Sequence, residues 1–128
     1  MSMEINKKLL EELFEQAKDS PRLRMNYDLR TSTADTSQRM LNALLPGTEV
    51  PIHRHEKTTE TVVCLSGRLE EMIYEEKEDG SFQEISRHLL CPAEGKYGIQ
   101  IPVGAWHTIC VLEPSVIFEA KDGAFVSR

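Results

Sequence analysis

Apolar residues recur at three- and four-residue steps near the start of the chain, and from residue 38 onward the texture changes to short apolar and alternating runs. Ile5, Leu9, Leu10, Leu13, Phe14 and Ala17 fall on one side of a helical repeat, with Lys and Glu on the other. The spacing predicts an amphipathic helix over residues 3–18, ended by Pro21, which lacks the N–H a helix needs. A helix of this kind covers one side of a domain or forms a dimer contact. Residues 22–37 are polar and turn-rich and read as an ordered lead-in loop holding at most one short strand.

Eight β windows follow, at 38–44, 50–55, 61–66, 68–75, 82–90, 97–102, 106–112 and 115–120. Turn signals separate most of them: Pro46-Gly47, Ser66-Gly67, Asp79-Gly80, Cys91-Pro92, Pro102-Val-Gly104 and Glu113-Pro114. Many short strands at regular spacing imply an antiparallel sandwich or barrel. Asp79-Gly80 suits a hairpin tip, and the acidic run from Glu70-Glu71 to Asp79 reads as a solvated hairpin face. No internal repeat or low-complexity segment interrupts the pattern. The chain divides into a helix and loop over 1–37, packed on a barrel over 38–128, within one compact domain.

Composition narrows the field. At 128 residues the chain is long enough for a core without disulfide staples. Acidic residues outnumber basic ones, 21 to 15, for a net charge of −6, which argues against nucleic acid as a partner. No apolar run approaches the ~18 to 20 residues that span a bilayer, and the first residues lack a hydrophobic signal region. A cytoplasmic address without membrane attachment is the expectation. Three cysteines, Cys64, Cys91 and Cys110, with no C-X-X-C spacing, agree with it. Cys64 and Cys110 lie in apolar runs and read as buried packing residues.

The chemistry concentrates in two places. His53 and His55 share a face of an extended segment, because strand side chains alternate. Glu60 would join them from the start of the next strand, and His107 from a distant strand folded alongside. Three imidazoles and one carboxylate at these spacings suit one divalent transition metal, of the Zn, Fe, Mn, Ni or Co kind. Cys64 shares strand parity with Glu60 and is a candidate for lining the same pocket. Ile109 and Val111 share parity with His107 and would make that pocket partly apolar, while Trp106 would point away. His88 reads as a surface or core residue. Arg39 and Asn42 have opposite parity, so a regular strand aims only one of them inward, where it would hold an anionic or hydroxylated ligand. Tyr27 and Tyr97 are further candidates for the rim. No residue stands out as a general base.

The run from Gly47 through His53-Arg-His55, Glu60 and Gly67 meets every fixed position of the first cupin motif. Pro102, Gly104 and His107 match the second, although its leading glycine is missing and Val111 stands where an asparagine closes the motif. The chain therefore resembles the cupin superfamily, which implies an all-β jelly-roll (double-stranded β-helix) barrel, here with an N-terminal α-helix. It implies a metal ion inside one end, held by His53, His55, Glu60 and His107. Within that superfamily the chain is similar to the WbuC type, through Ser20-Pro21-Arg22, Gln38-Arg39-Met-Leu-Asn42, Pro46-Gly47 and Leu112-Glu-Pro114. That resemblance implies a small metalloprotein of bacterial surface-polysaccharide metabolism.

The expectation is thus a metal-dependent protein acting on a small molecule such as a sugar or sugar nucleotide, by isomerase- or epimerase-like or Fe-dependent oxygenase chemistry. A non-catalytic, metal-dependent sugar-binding module is the alternative, and a purely structural metal a third. Exposed sheet edges make a homodimer the expected assembly.

Overall fold

The computed structural model describes residues 2–123. Helix α1 runs Lys7–Lys18 and begins later than the periodicity alone suggests. Asn6 is the reason: its side-chain Oδ1 accepts the Leu9 N–H at 3.0 Å, satisfying a donor with no partner inside the helix. Ile5 stays outside the helix, 47% exposed.

Six strands follow: β1 (Arg24–Asp28), β2 (Ser37–Leu44), β3 (Glu60–Glu76), β4 (Phe82–Leu90), β5 (Gly98–Ile101) and β6 (Trp106–Asp122). All pairings are antiparallel, in the order β1-β2-β6-β3-β4, with β5 also on β3. A 3-10 turn, Pro92–Glu94, lies between β4 and β5. The β3–β4 hairpin turns at Asp79-Gly80 as expected, with the Asp79 carboxylate accepting the Ser81 N–H at 2.9 Å.

Two expected turns are instead folds within long strands. Windows 61–66 and 68–75 form the single strand β3, and windows 106–112 and 115–120 the single strand β6. The register slips near Ser66-Gly67 and Pro114, where proline has no N–H to give the ladder. Gly67 has φ 101°, and a Cβ there would lie 2.3 Å from the Pro114 carbonyl oxygen. Only glycine permits that approach. Ser115 repairs the broken ladder: its Oγ accepts the Arg68 N–H at 2.9 Å and donates to the Glu113 carbonyl at 2.7 Å.

The folds divide each long strand. The first half of β3 pairs with β5 and the end of β6; the second half pairs with β4 and the start of β6. Their inner faces meet in one core of Leu44, Val62, Cys64, Leu69, Leu90, Ile101, Val111 and Ile117. A second core lies on the outer face, where Leu13 and Ala17 of α1 pack with Leu41, Ala43 and Val116.

Three local expectations change. The 50–55 window is extended but forms only an isolated bridge, His53 to His107, and Pro51 within it has no N–H to offer. Cys110 is exposed, while Cys91 is buried beside Cys64 in that respect; apolar neighbours in sequence do not decide which face of a strand a residue takes. Glu71 is 2% exposed and does not belong to a solvated acidic face.

Candidate metal centre

The His53–His107 bridge sets the site. His53 N–H donates to the His107 carbonyl at 3.0 Å, and His107 N–H returns the bond at 2.8 Å. This pins the 50s segment to β6, and the ring centroids lie 4.2 Å apart. His55, two residues on, returns to the same side, with its ring centroid 5.5 Å from that of His107. The three residues offer ring nitrogens that all lie within 4.8 Å of one another. Glu60, at the start of β3, places Oε1 3.1 Å from His107 Nε2 and 3.8 Å from His55 Nε2. His107 and Glu60 are buried, at 2% and 3% exposure.

Backbone carbonyls choose the tautomers. His53 Nδ1–H donates to the Pro51 carbonyl at 2.8 Å, and His107 Nδ1–H to the Ala105 carbonyl at 2.9 Å. Each neutral ring then presents an Nε2 lone pair, the state a metal ligand requires. For His107 that lone pair faces the acceptor Oε1 of Glu60. Two acceptors at this separation need a proton or a cation to reconcile them. Ligands about 2.1 Å from one ion and at right angles to each other lie about 3.0 Å apart, so the 3.1 Å contact fits a shared ion. Borderline imidazole nitrogen with one carboxylate is a donor set for first-row divalent metals. The residues present fit the group that the sequence implies.

A charged layer stands behind this centre. Lys121 Nζ contacts the other Glu60 oxygen at 3.3 Å. Burial pushes the Glu60 carboxyl up; with no ion bound, a proton taken up between His107 Nε2 and Glu60 Oε1, together with the Lys121 ammonium, reverses that and holds the carboxyl well below the ordinary range. Glu119 is shifted the other way, raised by burial and by Glu60, with Lys121 and an Asn42 amide bond opposing. Glu71 is raised by burial first, then by Glu60 and Glu119. From the sequence, Glu71 is placed on a solvated face and Glu119 and Lys121 are given no role in the site. Strand parity marks them all: Glu71 alternates with Leu69 and Ile73, and Glu119 and Lys121 continue the inner series of Ile117.

The remaining candidates separate by face. Asn42 pairs with Ile117 and turns inward to Glu119, its Oδ1 buried without a hydrogen-bond partner among the described residues. Arg39, of opposite parity, binds Asp35 at 3.0 Å and the Ser37 carbonyl. Tyr27 packs with the core under α1. Tyr97 is 60% exposed and lines an outer groove with Arg87 and His88. Neither tyrosine is brought to His53, His55 and His107. Trp106 packs on Phe82, its ring also under the Arg54 guanidinium. Cys64, Val111 and Ile109 line the inner core, as parity requires.

Sheet topology, the inner core and the histidine cluster together define a cupin fold. The chain belongs to the family described as a domain of unknown function, DUF6016, whose model matches residues 5–87. No curated protein matches. Among solved structures, oxalate oxidase in complex with glycolate aligns with a TM-score of 0.61 and 15% identity, over 81% of this chain and 53% of that one. KdgF from Halomonas sp. aligns at 0.60 and 15%, over 83% and 84%. The capsular polysaccharide assembling protein CapF from Staphylococcus aureus aligns at 0.64 and 21%, over 84% and 30%; it is also known with the inhibitor 3-isopropenyl-tropolone. The chain thus spans about half the length of oxalate oxidase and under a third of CapF. Among the described residues, no helix is long and apolar enough to cross a membrane.

Proposed function

We propose that this protein is a metal-binding cupin that acts on a small hydroxylated molecule, of the sugar or sugar-nucleotide class, in bacterial surface-polysaccharide metabolism. The observation that carries the reading is the convergence of three imidazoles on one buried carboxylate, with two of the rings held in the ligand tautomer by backbone carbonyls. His53, His55, Glu60 and His107 would hold one divalent ion. The bound ion supplies Lewis-acid polarisation of a ligand oxygen and a fixed point for orienting it. The protein supplies the rest: Lys121 orients Glu60, and Ile109 and Val111 keep one wall apolar and limit water. Isomerase- or epimerase-like chemistry suits this arrangement; an oxygenase would need iron in the same site. The CapF likeness, on a capsular polysaccharide protein, supports the sugar assignment, as does the similarity to the WbuC type.

Elemental mass spectrometry of untagged, chelator-free protein is the test. About one equivalent of a first-row metal per chain is expected, and none after reconstitution would sink the reading. His107→Ala should lose most of that metal and His88→Ala little. A metal-loaded protein that binds sugars without converting them would shift the reading to the non-catalytic module.

A further inference from the structure

Buried polar atoms are almost always hydrogen-bonded, and exceptions call for a reason. Glu71 is such an exception. It is 2% exposed, and its Oε2 has no hydrogen-bond partner among the described residues. Its place on β3 is close to the metal centre. Ile73 lies directly across from His107, and Glu71, two residues back on the same inner face, lies across from Ile109. Glu71 and His107 are therefore diagonal neighbours on one face, a spacing that long side chains bridge. Leu69, Ile73 and Ile109 surround it with apolar surface, so the fold holds an unused carboxyl oxygen beside the centre at considerable cost.

We propose that Glu71 is the proton-exchange residue beside this centre, working on a hydroxyl of the small molecule that the centre would hold. This rests on the metal-binding reading above. The step is a simple transfer. The O–H bond of the ligand breaks, its electron pair stays on the ligand oxygen, and the proton joins Glu71 Oε2; the reverse step returns it. The surroundings suit such exchange, since burial on the inner face, with Leu69 and Ile73 to either side along the strand and Ile109 across from it, favours the protonated carboxyl over a solvated carboxylate. The titratable groups that share its surroundings are Glu60 on its own strand, His107, Glu119 and Lys121 on β6, His53 and His55 on the bridged segment, and His88 on β4. His88 stands directly across the ladder from Glu71 and is exposed.

Tropolone, a hydroxy ketone and the parent ring of the inhibitor seen with CapF, is the probe. Calorimetry of its binding to zinc-loaded protein, in two buffers of different ionisation enthalpy, counts the protons exchanged per ligand between about pH 5 and 9. Wild type and Glu71→Gln should differ by about half a proton or more somewhere in that range, because Gln keeps the shape but cannot exchange. Glu71→Met should also bind tropolone about tenfold more weakly. Both variants should retain the wild-type zinc stoichiometry. Proton counts that coincide at every pH would overturn the proposal with the metal reading intact. Zinc bound without tropolone would overturn it too, and wild type without zinc would take down both readings.

Discussion

Three thiols with the same intrinsic chemistry occupy different surroundings. Burial pushes the Cys64 thiol up to about 11, and its S–H donates to the Ser66 carbonyl. Cys91 is also buried, whereas Cys110 faces solvent. A thiol reagent at about pH 8 should therefore modify Cys110 quickly in the native protein and all three only after denaturation; counting equivalents with time checks this. Glu71 makes the opposite demand on pH. Its folded proton affinity exceeds its unfolded one, so its contribution to stability is fully present below the unfolded carboxylate range and is lost as pH rises through the folded value. In metal-free protein Glu71→Gln should raise the denaturant midpoint at about pH 8, by roughly 1–3 kcal/mol in stability, with the gain shrinking toward pH 4.5. Of the residues in the site, the histidines were legible because their type and spacing are rare. Glu71 was not, because an acidic residue in an acidic run reads as solvated until the strand's inner face is known. Asn42 and Arg39 were legible as a pair of opposite parity, but which one turned inward depended on the location of the second core.

Among the elements, boundaries were less legible than existence. Glycine signalled a turn correctly at Asp79-Gly80, where the chain reverses. Gly67 and Pro114 instead mark creases in strands that continue. The difference lies in what faces them: at Gly67 the backbone of β6 comes too near for any side chain. Gly67→Ala should consequently cost more than an ordinary strand substitution, about 2 kcal/mol or above, through both the positive φ and the collision. Asn6→Ala, which removes only the helix cap, should cost about 1 kcal/mol. Chemical denaturation of the two variants side by side would rank them. The reverse order would mean that the crease relaxes easily.

At the scale of the molecule, the site and the sheet are one construction. The residues proposed to hold the ion come from the bridged 50s segment, the start of β3 and the start of β6, and the two long strands hold these places in register. An ion bound only by the native state stabilises it by mass action. Reconstitution with zinc should raise the melting temperature, and a chelator should reverse the rise; His107→Ala should show neither effect. Fold class was legible from the alternation and turn signals, since they report local structure. The pairing order was not, because β6 reaches across the chain to lie between β2 and β3.

That central place of β6 has a consequence for synthesis on the ribosome. Glu60 meets His107 across 47 residues and Lys121 across 61. Until β6 has left the exit tunnel, β2 and β3 have no common neighbour, and the inner and outer cores each lack residues that close them. The β1–β2 and β3–β4 pairs do not need β6, but the two parts of the sheet stay apart, their apolar faces open to chaperones, until nearly all of the sequence described here has emerged. Only then can sheet, cores and metal centre form together, as expected of a fold dominated by distant contacts.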